Sequence, residues 1–168
     1  MVEIKEQAAK VLGPLSGTAT VWALDLGMRL GIFEHLAGRP DGFTSAEVAG
    51  ALNLDPQYTH VILRATYAAE VLDQREGRYR LGDHMGTLLL DSDAPAYLGG
   101  AVETLVALRE TYLDIRNLAS TGQREWWNDF DPEWIEAVGE NGQTYYRRLL
   151  NMVFPKLPAV AESLARGA

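Results

Sequence analysis

The stretch "ALDLGMRLG", residues 23–31, decides how the chain is read. An apolar run that ends in Asp25 and is followed by Gly27 and Gly31 has the outline of a glycine-rich cofactor loop. Such a loop works because residues without a Cβ let backbone amides close on a ligand and take positive φ. Here the position between the two glycines is Arg29, flanked by Met28 and Leu30. Three bulky side chains fill the space the loop must leave empty, and no alternating β-branched strand precedes them. Val21, Trp22, Leu26, Leu30 and Phe33 instead recur at helical spacing, so the stretch reads as a buried helix with Gly27 and Gly31 as close-packing points. No cofactor is expected to bind these residues.

The bulk properties narrow the field further. A chain of 168 residues, 47% of them apolar, suffices for one folded domain with a helical extension. Fifteen Lys and Arg against 23 Asp and Glu leave a net charge of −8, which argues against nucleic acid or anionic lipid as a partner. The absence of cysteine removes disulfides, thiolate nucleophiles and cysteine-bearing zinc sites. His35, His60 and His84 lack the paired spacing of metal ligands, so no metal is expected. The opening "MVEIKEQAAK" is charged and helical rather than a signal peptide, and no apolar run approaches bilayer length. The expectation is a cytoplasmic protein with no membrane association.

Pattern divides the chain into three parts. Residues 1–42 read as helices whose second half is apolar over most of its circumference, with Trp22, Leu26, Leu30 and Phe33 as candidate dimer-interface residues. Residues 43–92 carry the clearest local grammar. Thr44 with Glu47 three positions on predicts a capping box, and Phe43 stands where it can staple to Val48. Asp55 followed by Pro56 starts a second helix, with Tyr58, Val61, Ile62, Ala65, Ala69 and Leu72 as its expected buried face. A short strand, a turn at Glu76 and Gly77, and "RYRL" then read as a β-hairpin. Two capped helices and a hairpin make a winged helix-turn-helix. Residues 93–168 are helical again. Leu98, Val102, Leu105, Leu108, Tyr112, Ile115 and Ala119 keep helical spacing, and an aromatic-dense loop ends at Asp131-Pro132. Gly139 and "ENG" are expected to break the helix that follows. The predicted fold class is therefore mostly α, a winged helix with a small β-hairpin between N- and C-terminal dimerisation and cap helices.

At this point residues 30–90, "LGIFEHLAGRPDGFTSAEVAGALNLDPQYTHVILRATYAAEVLDQREGRYRLGDHMGTLLL", resemble a known family. They are similar to the N-terminal winged-helix dimerisation region of small-molecule S-adenosylmethionine-dependent methyltransferases of the O-methyltransferase type. The matching positions are Gly31, Ile32, Phe33, Glu34 and Leu36; Thr44, Glu47, Val48 and Ala49; Leu63, Arg64 and Ala65; Gly77, Tyr79 and Leu81; and Leu88 with Leu89. Glu70 departs from the pattern, since the family commonly has glycine before the hairpin. The resemblance implies a homodimer that roofs the cavity for a small organic methyl acceptor. It also implies S-adenosylmethionine as cofactor of the full-length enzyme, held by a Rossmann-like domain that in relatives follows a helix like "AVAESLARGA". On that expectation the chain is the front portion of a longer enzyme and performs no methyl transfer itself.

Candidate site residues follow from type and position. Trp126, Trp127, Phe130, Trp134, Tyr145 and Tyr146 form an aromatic group suited to line a cavity for a flat organic acceptor, with core or interface packing as the plainer explanation. The histidines read as helix-end or surface residues, and no catalytic residue is assigned. Asp91 with Asp93, and Glu133 with Glu136, read as solvated charges. Two other functions fit a winged helix: a transcription regulator, or a stand-alone ligand-binding or dimerisation module. Against the regulator, residues 44–90 hold six acidic and four basic side chains, a net of −2, and the second helix offers only Arg64 to a phosphate backbone.

Overall fold

The computed structural model describes residues 2–124 and 126–167, apart from the side chains of Glu110, Thr111, Leu113, Asp114, Thr144 and Ala161. The described residues gather into two compact units, Met1–Gly86 and Thr87–Ala168.

The first unit opens with α1 (Ile4–Arg29), so residues 23–29 of the glycine-containing stretch are helix, as expected. Asp25 and Arg29 stand one turn apart on it, and Arg29 Nε donates to Asp25 Oδ1 at 2.8 Å. Gly27 is a close-packing point, because a Cβ there would overlap the Phe33 ring. Gly31 is not: nothing lies within 4 Å of where its Cβ would be, and its φ of +68° marks a left-handed turn. That turn ends α1 at Leu30 and starts α2 (Ile32–Ala37), where the sequence suggested one continuous helix. α2 buries Ile32, Phe33 and Leu36 completely or nearly so.

β1 (Phe43–Thr44) leads into α3 (Ser45–Leu52), which begins with the predicted capping box. Thr44 Oγ1 accepts from the Glu47 amide at 3.2 Å, and the Glu47 carboxylate accepts from the Thr44 amide at 2.7 Å. Asp55 caps α4 (Pro56–Ala68) through two amides, those of Gln57 and Tyr58, both at 2.9 Å. The buried face of α4 differs from the expected one. Thr59, Ile62, Leu63 and Thr66 point inward, while Tyr58, Val61 and Ala65 are exposed and Leu72 lies beyond the helix. Two threonines survive in the core because each hydroxyl donates to a carbonyl of the preceding turn, Thr59 to Asp55 and Thr66 to Ile62. α4 then closes in a Schellman arrangement, with the Val71 amide on the Thr66 carbonyl and the Glu70 amide on the Tyr67 carbonyl. Glu70 takes the left-handed position at φ +60°, a place that favours glycine.

The hairpin follows, β2 (Leu72–Arg75) and β3 (Arg78–Leu81), joined through Glu76 and Gly77 at φ +52° and +76°. Two consecutive positive φ values match the right-handed twist of the strands. β3 also pairs with β1, which the sequence reading did not anticipate, giving an antiparallel sheet in the order β1-β3-β2. Ile32, Phe33, Leu36, Val48, Leu63, Leu72 and Tyr79 fill the core between these elements. Each large apolar side chain there contributes about 1.5–3 kcal/mol. This is the winged helix.

The second unit begins within α5 (Met85–Leu89) and continues through α6 (Gly99–Ala107) and α7 (Arg109–Thr121), which meet at Leu108. The long apolar stripe expected there is mostly uncovered: Val102 is buried, but Leu98, Leu105, Tyr112 and Ile115 are exposed. α8 (Pro132–Arg148) starts at Asp131 as predicted and runs unbroken through Gly139 and Gly142, contrary to expectation. Its partner is α6. A Cβ on Gly100 would stand 3.2 Å from the Asn141 backbone, and the Thr104 hydroxyl donates to the Ala137 carbonyl at 3.0 Å. Tertiary packing of this closeness outweighs the roughly 1 kcal/mol that each helical glycine costs. A π-helical turn (Leu149–Val153) and a 3-10 turn (Phe154–Lys156) lead to α9 (Pro158–Ala165).

Candidate functional site

Two groups of side chains stand out, one in each unit. In the first unit, α1 presents Trp22, Leu26 and Leu30 to solvent, at 53%, 43% and 37% exposure. Phe33, grouped with them in the sequence, has no surface to offer a partner because its ring is buried against Gly27. The stripe also extends backwards, through Leu15 and Val11 to Ile4, all exposed. The sequence reading passed over these three, although the helical spacing that found Trp22 would have found them.

In the second unit, Trp127, Phe130 and Trp134 come together around a 3-10 turn (Trp127–Asp129) and the start of α8. Phe130 stacks on Trp134 with ring centroids 4.3 Å apart, and Trp127 meets Trp134 edge-on at 5.2 Å. The Asp129 carboxylate holds the turn by accepting from the Trp126 amide at 2.8 Å. The Trp126 ring is exposed. Tyr145 and Tyr146 are exposed too, but they sit three turns further along α8, about 16 Å from Trp134 along its axis. The six aromatics therefore divide into a packed trio and three outward rings. At the far end of α8, Arg147 donates to the Ser92 carbonyl and pairs with Asp93 at 3.0 Å. Asp93 remains a solvated loop charge, as expected, and meets Arg147 at the surface.

The histidines do not converge. His35 packs on Phe43 at 4.2 Å, whereas His60 and His84 are exposed. Among the described residues no three metal-ligating side chains cluster.

The electrostatics of the wing bear on the regulator reading. Arg78 donates to the Gly42 carbonyl and pairs with Glu47 at 2.9 Å, and Arg80 pairs with Asp73 at 2.6 Å. Hydrogen bonds from the Thr44 amide and from Arg78 hold the Glu47 carboxyl at a pKa of about 2. A groove of about 750 Å³ beside the hairpin is lined by Tyr67, Asp41 and Asp73 as well as by Arg75, Arg78 and Arg80. Two of its three arginines are already committed to carboxylates, which leaves little positive field for phosphates. The exposed face of α4, with Tyr58, Val61 and Ala65, is apolar rather than basic.

The winged helix is carried on a long helix, α1, whose apolar face is uncovered. Residues 15–92, just under half of the chain, match the family model of the O-methyltransferase dimerisation domain. A search of curated proteins returns no significant match. Among solved structures the fold is similar to the S-adenosylmethionine-dependent methyltransferase SibL, at 21% identity and a TM-score of 0.62, covering 85% of this chain and 45% of that one. It is similar also to CalO1, a methyltransferase in calicheamicin biosynthesis, at 21% identity and a TM-score of 0.60, with 87% and 46% covered. A third is an O-methyltransferase family protein from Burkholderia thailandensis, at 15% identity and a TM-score of 0.60, with 96% and 46% covered. The chain spans about half the length of the structures it matches. Among the described residues no helix is long and apolar enough to cross a membrane.

Proposed function

We propose that this chain is the dimerisation and substrate-cap part of an S-adenosylmethionine-dependent small-molecule methyltransferase, acting as a homodimer in the cytoplasm. In this reading residues 1–42 pair two copies, residues 43–92 form the winged-helix core and residues 93–168 supply the cap. The methyl donor is held by a cofactor-binding domain rather than by residues 23–31, which form the last turns of α1 and the turn that follows it. The acceptor, a small organic molecule, meets the cap through the aromatic side chains at Trp126, Trp127, Phe130 and Trp134, with Tyr145 and Tyr146 too far along α8 to join them. The observation that carries the reading is the match of residues 15–92 to a dimerisation domain, together with the uncovered Trp22, Leu26 and Leu30 face inside that segment.

Light scattering over a range of concentrations tests it. The chain is expected at twice its 18.5 kDa mass, and Leu26→Glu at the monomer mass with helicity unchanged. A monomer at high concentration overturns the homodimer. Calorimetric titration with S-adenosylmethionine is expected to show no stoichiometric uptake, and micromolar one-to-one binding overturns the assignment of the donor to another domain.

A further inference from the structure

Leaving a donor unmet in the interior is costly, so nearly every buried polar atom of a folded chain has a partner. The indole Nε1 of Trp134 is an exception: the atom is shut off from solvent, and no acceptor among the described residues hydrogen-bonds to it. Its recorded ring neighbours are apolar. Phe130 stacks on it with planes 24° apart, and Trp127 meets it at 62°. A ring face is a weak acceptor and leaves most of the cost standing. Asp129 and Asp131, which flank Phe130, offer no relief, because each already accepts from a backbone amide at 2.8 Å, those of Trp126 and Glu133. If only bulk were needed at position 134, phenylalanine would fill the place without an orphan. The outermost ring of the trio is Trp127, exposed on its 3-10 turn, so it is the one that can yield space without opening the helix packing beneath.

We propose that the Trp134 Nε1–H is a specificity-determining donor, which hydrogen-bonds a neutral carbonyl oxygen on a flat ring that enters beside Phe130 and Trp134 as Trp127 gives way. The inference rests on the cap reading and adds to it the atom that selects and the chemistry it selects for. A flat ring suits the place because it extends the Phe130 and Trp134 stack at little cost in entropy. The oxygen supplies the selectivity. A site with a buried donor rejects the hydrocarbon of the same shape, since binding it leaves the donor unmet, whereas a purely apolar slot cannot tell the two apart. Charge decides which oxygen is taken. Asp129, Asp131 and Glu133 all lie within five positions of Trp134, and the chain carries a net charge of −8, so a ring ketone is favoured over a carboxylate.

Chromone and naphthalene test this, because they are flat two-ring probes of similar size and only chromone carries a carbonyl. The chain has four tryptophans, each giving one indole N–H signal in a nitrogen-proton correlation spectrum, and Trp134→Phe identifies the signal of Trp134 by its loss. In the wild-type chain chromone is expected to move that signal downfield and to bind about tenfold tighter than naphthalene, the margin of one hydrogen bond. In Trp134→Phe chromone is expected to fall to the affinity of naphthalene, while naphthalene itself binds as before. The wild-type comparison stands even if the variant folds poorly. Equal affinities for the two probes, with the Trp127 and Trp134 signals shifted by both, would overturn the donor and leave the cap reading intact. A preference for chromone that survives in Trp134→Phe would place the donor elsewhere and overturn the proposal. Failure of both probes to shift either signal would overturn the donor and the cap together.

Discussion

Replacing Gly27 with alanine sets two effects of known size against each other. In the interior of α1 alanine favours helix over glycine by about 1 kcal/mol. Against this, the added methyl would fall on the ring of Phe33, which has no exposed surface and stands in the first turn of α2, two residues after the left-handed turn at Gly31. Neither the ring nor the α2 backbone has room to retreat, so overpacking should cost about 2–3 kcal/mol, the upper part of its usual range. The expected net is a loss of about 1–2 kcal/mol, a fall of roughly 2–8 °C in Tm for a chain of this length. Gly50 in α3 supplies the control: it is exposed, and nothing lies within 4 Å of where its Cβ would be. Gly50→Ala should therefore stabilise by about 1 kcal/mol, the helix-propensity gain alone. Urea and thermal unfolding at one fixed protein concentration measure both, since the proposed pairing would add a concentration term. Adding Phe33→Leu to Gly27→Ala should recover part of the loss, because the two sites share one contact. If Gly27→Ala stabilises the protein as Gly50→Ala does, the close packing of α1 on α2 is wrong.

Two further outcomes follow from the backbone and the charges of the first unit. Glu70→Gly should stabilise by about 0.5–1 kcal/mol, because relief of the left-handed φ exceeds the added chain entropy, while Glu70→Ala should lie within about 0.5 kcal/mol of wild type in the same unfolding assay. The carboxyl of Glu47 is lowered from 4.5 to about 2 by its bonds to Thr44 and Arg78. The folded state thus favours the ionised form, so its contribution is full above pH 4.5 and fades as pH falls toward 2. The difference in urea midpoint between wild type and Glu47→Gln should shrink over that window, and a difference constant with pH would show that ionisation of Glu47 plays no part.

Several features could be read without coordinates because their causes are local. The capping box at Thr44 and Glu47, the Asp55-Pro56 helix start and the Glu76-Gly77 turn each depend on residues within four positions of one another. The same holds for the rejection of residues 23–31 as a loop, where Arg29 and its neighbours sufficed. Even Glu70, noticed as a departure from the family pattern, marks the point where the chain turns left-handed. The candidate aromatics were legible as a group by composition, but their division was not. Whether Tyr145 stands near Trp127 depends on α8 continuing through two glycines, which the packing of α6 decides.

The buried face of α4 separates the two kinds of information. Periodicity correctly marked Tyr58, Val61 and Ala65 as one apolar stripe, yet the chain buries the neighbouring stripe with its two threonines. Spacing reports which residues share a side of a helix, and chemistry reports which of them resist water. Neither reports whether a particular side is covered by the same chain. That choice, like the burial of Phe33 and the bare length of α1 before residue 20, is made where distant segments compete for contact. Local rules of capping, turn and period are therefore written in adjacent residues, whereas cover is a property of the whole packed body and of whatever joins it.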